Sequence, residues 1–201
     1  MSGISQHIVT ANGVEFAVLS EGDGPLALCL HGFPDSAHSW RHLMPALAAA
    51  GYRAVAPFQR GYAPTAVPAD GLFQSGVLGV DANALHEALG GGPDAVIIGH
   101  DWGASGTHAA AALEPQRWSK VVTMAVPPGP AIGMAFLTNF AQLKRSWYMF
   151  FFQHGLSDMV VPANDLEFID HLWADWSPGY DGAVDIANVK DALRDPANLT
   201  A

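Results

Sequence analysis

Residues 96–112 read Val-Ile-Ile-Gly-His-Asp-Trp-Gly-Ala-Ser-Gly-Thr-His-Ala-Ala-Ala-Ala, and this stretch decides the fold. An apolar run at 95–98 meets Gly99-His100-Asp101-Trp102-Gly103, and small residues follow directly. That order is the layout of a nucleophile elbow, a sharp strand-to-helix turn that holds one side chain strained and exposed. Gly99 and Gly103 let backbones pass where a side chain would clash. The residue at the centre is Asp101 rather than Ser. A carboxylate nucleophile attacks carbon and leaves an alkyl ester on the enzyme. Such chemistry suits epoxides and alkyl halides better than peptides or ordinary esters. The positive end of the helix expected after the turn favours a carboxylate there.

Outward from the elbow, strands and helices alternate. Residues 7–10 and 14–19 read as two short strands joined by Asn12-Gly13, a strong hairpin signal. Residues 26–30 are uninterrupted apolar sequence, as in a strand buried on both faces. A helix is expected over 38–50, ending at Gly51, then a strand over 53–57. A second helix over 75–89 stops at Gly90-Gly91-Gly92. The strand before the elbow spans 94–99 and the helix after it 103–113; a last strand over 120–126 is closed by Pro127-Pro128. This alternation predicts an α/β protein with a mostly parallel sheet flanked by helices. From Gly129 onward no buried strand is evident, and helices are expected over 131–145, 146–154, 164–174 and 184–194. Residues 1–128 are therefore read as an α/β core and 129–201 as a helical lid, or cap.

Composition narrows the function classes. The chain has 201 residues, half of them hydrophobic, which suffices for one domain with a substantial core. A net charge of −10 and a pI near 5.1 argue against nucleic acid or an anionic membrane as partner. Six Trp and ten Phe suit an apolar core and an apolar pocket. The single Cys29 lies in an apolar run, so it reads as a small buried hydrophobe with no disulfide partner in the chain. Residues 1–7 lack a signal-peptide pattern and no apolar run reaches 18 residues, so a cytoplasmic protein is expected. His38 and His42 have metal-ligand spacing but no third ligand nearby, and read as a solvated face. No metal and no cofactor is expected.

Three motifs occur in order: His31-Gly32-Phe33-Pro34, Arg60-Gly61-Tyr62 and Gly99-His100-Asp101-Trp102-Gly103. A fourth follows in the helical part, Ser146-Trp147-Tyr148-Met149-Phe150-Phe151-Phe152-Gln153. As an ordered set they resemble the α/β-hydrolase superfamily, in its epoxide hydrolase and haloalkane dehalogenase branch, and epoxide hydrolases above all. The resemblance implies the α/β-hydrolase fold with a helical lid. It implies Asp101 as nucleophile and Tyr148 as one of two tyrosines that polarise the epoxide oxygen. The oxyanion of ester hydrolysis would be held by the backbone N–H groups of Phe33 and Trp102. His31, Gly32, Pro34, Gly99 and Gly103 would support that geometry, with Pro34 expected in the cis form. The reaction implied takes a small apolar epoxide and water to a vicinal diol. A haloalkane or haloacid dehalogenase would use the same Asp101, with the Trp102 indole on halide; a pocket-wall role for that ring is preferred.

The same pattern implies a departure. Family members follow the lid with two more strands, which carry the catalytic acid and then the catalytic His. Here the chain reaches Ala201 where the lid would close. At roughly 30 residues per strand–helix unit, about 60–100 residues are expected to be absent, the second tyrosine among them. The expectation is an N-terminal two-thirds fragment, inactive by itself, with strand 120–126 exposed at the sheet edge and prone to self-association. A class apart is an inactive truncated product or a binding module. His100 is expected to turn away from the site and His108 to be buried. Tyr180 reads as structural, and Asp158, Asp165, Glu167 and Asp170 as lid surface.

Overall fold

An apolar strand without alternation must be covered on both faces, and Leu26–Leu30 (β3) is buried at every position. A computed structural model describes residues 3–201. Strands Ser5–Ala11 (β1) and Val14–Glu21 (β2) precede β3; Arg53–Pro57 (β4), Val96–His100 (β5) and Lys120–Met124 (β6) follow it. They form one six-stranded sheet in the order β1-β2-β4-β3-β5-β6. The pairs β3–β4, β3–β5 and β5–β6 are parallel, with Leu30 opposite Gly99 and His100 opposite Met124. The pairs β1–β2 and β2–β4 are antiparallel. The hairpin closes Ala11 on Val14 around Asn12 and Gly13, both at positive φ, the backbone that an Asn-Gly turn favours.

Helices cover both faces. Met44–Ala49 (α1), Ser75–Ala88 (α2) and Trp102–Leu113 (α3) lie between strands. After β6 come only helices among the described residues: Gly129–Thr138 (α4), Phe140–Arg145 (α5), Trp147–Phe151 (α6), Ser157–Val160 (α7), Ala163–Trp176 (α8), Ala183–Leu193 (α9) and Pro196–Thr200 (α10). The pleat divides the core in two. Leu28, Leu30, Val55 and Ile97 face Leu85 and Ala82 of α2 and Ala110 of α3. Cys29, Ala54, Ala56 and Ile98 face Trp40 and Met44, and on that side Ile169, Val189 and Leu193 of α8 and α9 join the same cluster. No helix among the described residues is long and apolar enough to cross a membrane.

Several expected elements shift, each for a local reason. The single helix over 38–50 is a 3₁₀ helix, Ala37–His42, followed by α1. Pro45 cannot donate the backbone hydrogen bond that a continuous helix needs at that point. The helix over 131–145 breaks at Asn139, whose side-chain oxygen accepts from the Ala141 and Gln142 amides at 3.1 and 3.2 Å and starts α5 afresh. The last strand ends at Met124 rather than 126, because Ala125 takes a positive φ of 69°. The strand over 94–99 moves to Val96–His100, and the helix after it begins at Trp102.

Candidate active site

Asp101 joins β5 to α3 at φ 53° and ψ −118°, outside the regions that L-residues prefer. Such a backbone costs about 1–3 kcal/mol and persists only where its surroundings hold it. They do so here from both sides. The Asp101 amide donates to the Met124 carbonyl at 3.2 Å, and its carbonyl accepts from the Ala104 and Ser105 amides at 2.9 and 3.2 Å. Packing allows the turn only because its glycines lack side chains. A Cβ on Gly103 would lie 2.1 Å from the Leu30 carbonyl oxygen, and one on Gly99 would lie 2.3 Å from that of Gly103.

The loop after β3 comes directly onto the Asp101 carboxylate. The Phe33 amide donates to Asp101 Oδ1 at 2.9 Å. Gly32 makes this approach possible, since a Cβ there would sit 2.4 Å from Asp101 Oδ1. His31 anchors the loop from beneath and is fully buried. Its Nε2 accepts from the Gln59 amide at 3.1 Å, which leaves Nδ1 to donate to the Gly32 carbonyl at 3.0 Å. Burial is the main reason its pKa falls to about 4, so the ring is neutral and structural. The Tyr62 ring stands edge-on to it at 4.6 Å. Arg60 of the same motif is buried against Asp81 at 2.5 Å. The Phe33–Pro34 bond is cis, as expected.

A cavity of about 820 Å³ opens over Asp101. Phe33 and Asp35 of the loop form one wall, and Tyr148, Trp173 and Trp176 of the helical segment form another. Three residues singled out in the sequence are thus brought together: Asp101, Phe33 and Tyr148. The Tyr148 ring stacks on Phe33 at 6.5 Å and lies tilted against Trp176 at 4.8 Å. Burial first, and the Asp101 charge second, push its hydroxyl pKa up to about 12. The phenol therefore keeps its proton and is a hydrogen-bond donor across the neutral range.

Trp102 behaves differently. Its amide makes no hydrogen bond to the Asp101 side chain, and the residue is 37% exposed. His100 is half-buried and is among the residues that line the cavity. His108 is half-buried, with Nε2 3.2 Å from the Val126 carbonyl. His38 is not on a solvated face; it packs edge-on against Phe58 at 5.3 Å, while His42 is exposed. Asp170 is half-buried and pairs with Lys190 at 2.5 Å, whereas Asp158, Asp165 and Glu167 are exposed, Asp165 pairing with Arg194.

Asp35 escaped the sequence reading. Asp35 stands half-buried in the cavity wall, with Oδ1 accepting from the Ser36 amide at 2.9 Å. Burial, reinforced by the charges of Asp185 and Asp101, raises its pKa to about 7. Its only sequence signal is its place just after the His31–Pro34 motif.

With this geometry in view, a family model described as alpha/beta hydrolase fold matches residues 25–175. The chain belongs to the α/β-hydrolase family. Its relatives lie in the epoxide hydrolase branch. It is 40% identical to an epoxide hydrolase of Caballeronia sordidicola over 62% of this chain and 38% of that protein. It is 36% identical to epoxide hydrolase A of Mycobacterium tuberculosis, matched over 100% of this chain and 66% of that protein. Among solved structures it is similar to an epoxide hydrolase of Vigna radiata, with TM-score 0.77 and 26% identity over 98% of this chain and 73% of that one. This α/β-hydrolase thus spans 38% and 66% of the lengths of these two curated relatives.

Proposed function

We propose that the protein acts on epoxides through an ester on Asp101, with residues 129–201 serving as the lid over a core formed by 1–128. The observation that carries this is the Phe33 amide at 2.9 Å from Asp101 Oδ1, within a cavity whose far wall holds Tyr148. The free Asp101 oxygen attacks an epoxide carbon, and the ring C–O bond breaks. The released oxygen takes up its hydrogen from Tyr148, whose burial keeps it protonated. Water then adds to the ester carbonyl, and the Phe33 N–H, joined by that of Trp102, stabilises the oxyanion. Collapse breaks the ester C–O bond and restores the carboxylate; of the two protons that water brings, one completes the second hydroxyl of the diol and the other returns to the Tyr148 phenolate. In the family pattern a histidine on a later strand takes the proton of that water; no described residue is assigned the role. The relatives named as epoxide hydrolases support the substrate class. A haloalkane that releases halide while epoxides leave Asp101 untouched would favour the dehalogenase reading.

Tyr148→Phe removes the donor and keeps the ring. Single-turnover ester formation should fall by about 10²–10³, less if a second donor reaches the oxygen. Stopped reactions with a neutral aryl epoxide, read by intact mass, measure this. An unchanged rate would leave Tyr148 a packing residue. The same proposal extends to self-association through β6. β6 ends the sheet, and its Val121, Val122 and Met124 are 45%, 45% and 38% exposed. An apolar edge of this kind is a template for pairing. Val122→Lys should shift the protein toward monomer in sedimentation velocity, whereas a monomer at all concentrations before substitution refutes the pairing.

A further inference from the structure

We infer that Trp173 is a positioning residue for the nucleophile: by binding the Pro34 carbonyl, it ties the helical segment to the loop that orients Asp101. The inference rests on the proposed function and extends it to a residue that touches no reacting atom. Trp173 Nε1 donates to the Pro34 carbonyl oxygen at 2.9 Å, across 139 residues of sequence. The next bond along that loop is the one from Phe33 N to Asp101 Oδ1, also 2.9 Å. A shift of the Pro34 carbonyl moves the Phe33 peptide with it, and so changes the hold on the carboxylate.

The indole is itself held in place. Gly182 lies against it so closely that a Cβ there would come 2.9 Å from Trp173 Cε3. Tyr180 flanks it with ring centroids 6.2 Å apart, and its hydroxyl donates to Asp185 Oδ2 at 2.9 Å. The buried Asp185 in turn pairs with Arg41, which also donates to the His38 carbonyl at 3.2 Å. Arg41 belongs to the 3₁₀ helix that continues directly from the loop. One patch of the helical segment, residues 173–185, therefore grips the chain at Pro34 and again at Arg41, on either side of Asp35. Two ties to one rigid patch fix both the place and the direction of the loop, whereas one would leave it free to swing. Trp173 also borders the cavity. A substrate pressed against the helical wall thus bears on the same side chain that holds the nucleophile's cradle.

The test is the rate of Asp101 ester formation with a neutral aryl epoxide, followed by intact mass over a range of epoxide concentrations. Trp173→Phe keeps most of the ring and loses the donor. The plateau rate should fall about three- to tenfold, the worth of one hydrogen bond, with the half-saturating concentration changed less than about twofold. Tyr180→Phe keeps both rings and frees one side of Asp185, so it should lower the plateau in the same direction by less. In the unsubstituted protein, the Trp173 indole N–H resonance should move when Asp101 is esterified, a readout that remains if Trp173→Phe fails to fold. An unchanged plateau in both variants, or an indole resonance indifferent to esterification, overturns this inference while the proposed function stands. Absence of any ester in the unsubstituted protein overturns both.

Discussion

Asp101→Ala should abolish ester formation, a loss of about 10⁴-fold or more relative to the unsubstituted protein. The elbow places one carboxylate over the cavity and holds it by the Phe33 amide at 2.9 Å. Asp35, the other half-buried carboxylate of that wall, is raised to about 7 by burial and by the neighbouring charges. At neutral pH it is a weaker source of carboxylate, and its Oδ1 is already engaged by the Ser36 amide. It should not replace Asp101. The substitution has a structural side as well. The Asp101 side chain also accepts from the Phe33 amide, so its loss should destabilise the fold by about 1 kcal/mol. Circular dichroism and a denaturant titration separate that from loss of chemistry. Asp101→Asn is a poorer test, because an activated side-chain amide can hydrolyse back to Asp. Ester formation at a normal rate by folded Asp101→Ala would remove Asp101 as nucleophile.

Gly32→Ala should be strongly damaging although it removes no proposed catalytic group. The new Cβ would lie 2.4 Å from Asp101 Cβ and Oδ1 and 2.8 Å from Cγ. Nothing at that point is the loose end of a flexible chain: Asp101 is fixed by its turn and Gly32 by His31 beneath it. Either the carboxylate rotates or the loop retreats, and both break the Phe33–Asp101 bond. Misplacing a reacting group by about 1 Å typically costs about 10²-fold, and overpacking of this kind about 1–3 kcal/mol of stability. Single-turnover rate and urea denaturation on the same preparation read both. Wild-type values for both would mean that the close approach of loop and nucleophile is not needed.

Local chemistry is what the sequence displays most clearly. The strand Leu26–Leu30 is legible because a run with no polar residue has one common use at that length. The elbow is legible because Gly-His-Asp-Trp-Gly after an apolar strand suits little besides a strained strand-to-helix turn. Features set by a single residue acting on its neighbours were harder. Pro45 and Asn139 each divide an expected helix, though both signals stand in the sequence. Pairing between distant segments left no mark at all. Nothing in residues 14–21 announces that β2 lies beside β4 rather than β3, since such pairing follows from covering the sheet as a whole. The same holds at the site. Asp101, Phe33 and Tyr148 lie in recognisable motifs, whereas the parts of Asp35 and Trp173 arise where the helical segment meets the loop after β3. Trp173 and Pro34 meet across 139 positions, and no local pattern encodes such a meeting.

The most direct test of Asp101 as the nucleophile is peptide mapping after an acid-quenched reaction with a neutral aryl epoxide. A single adduct is expected, heavier by the mass of the epoxide, confined to the peptide that contains Asp101 and cleaved by mild base as an ester is. No adduct, or an adduct on Asp35 or elsewhere with Asp101 unmodified, would contradict that role.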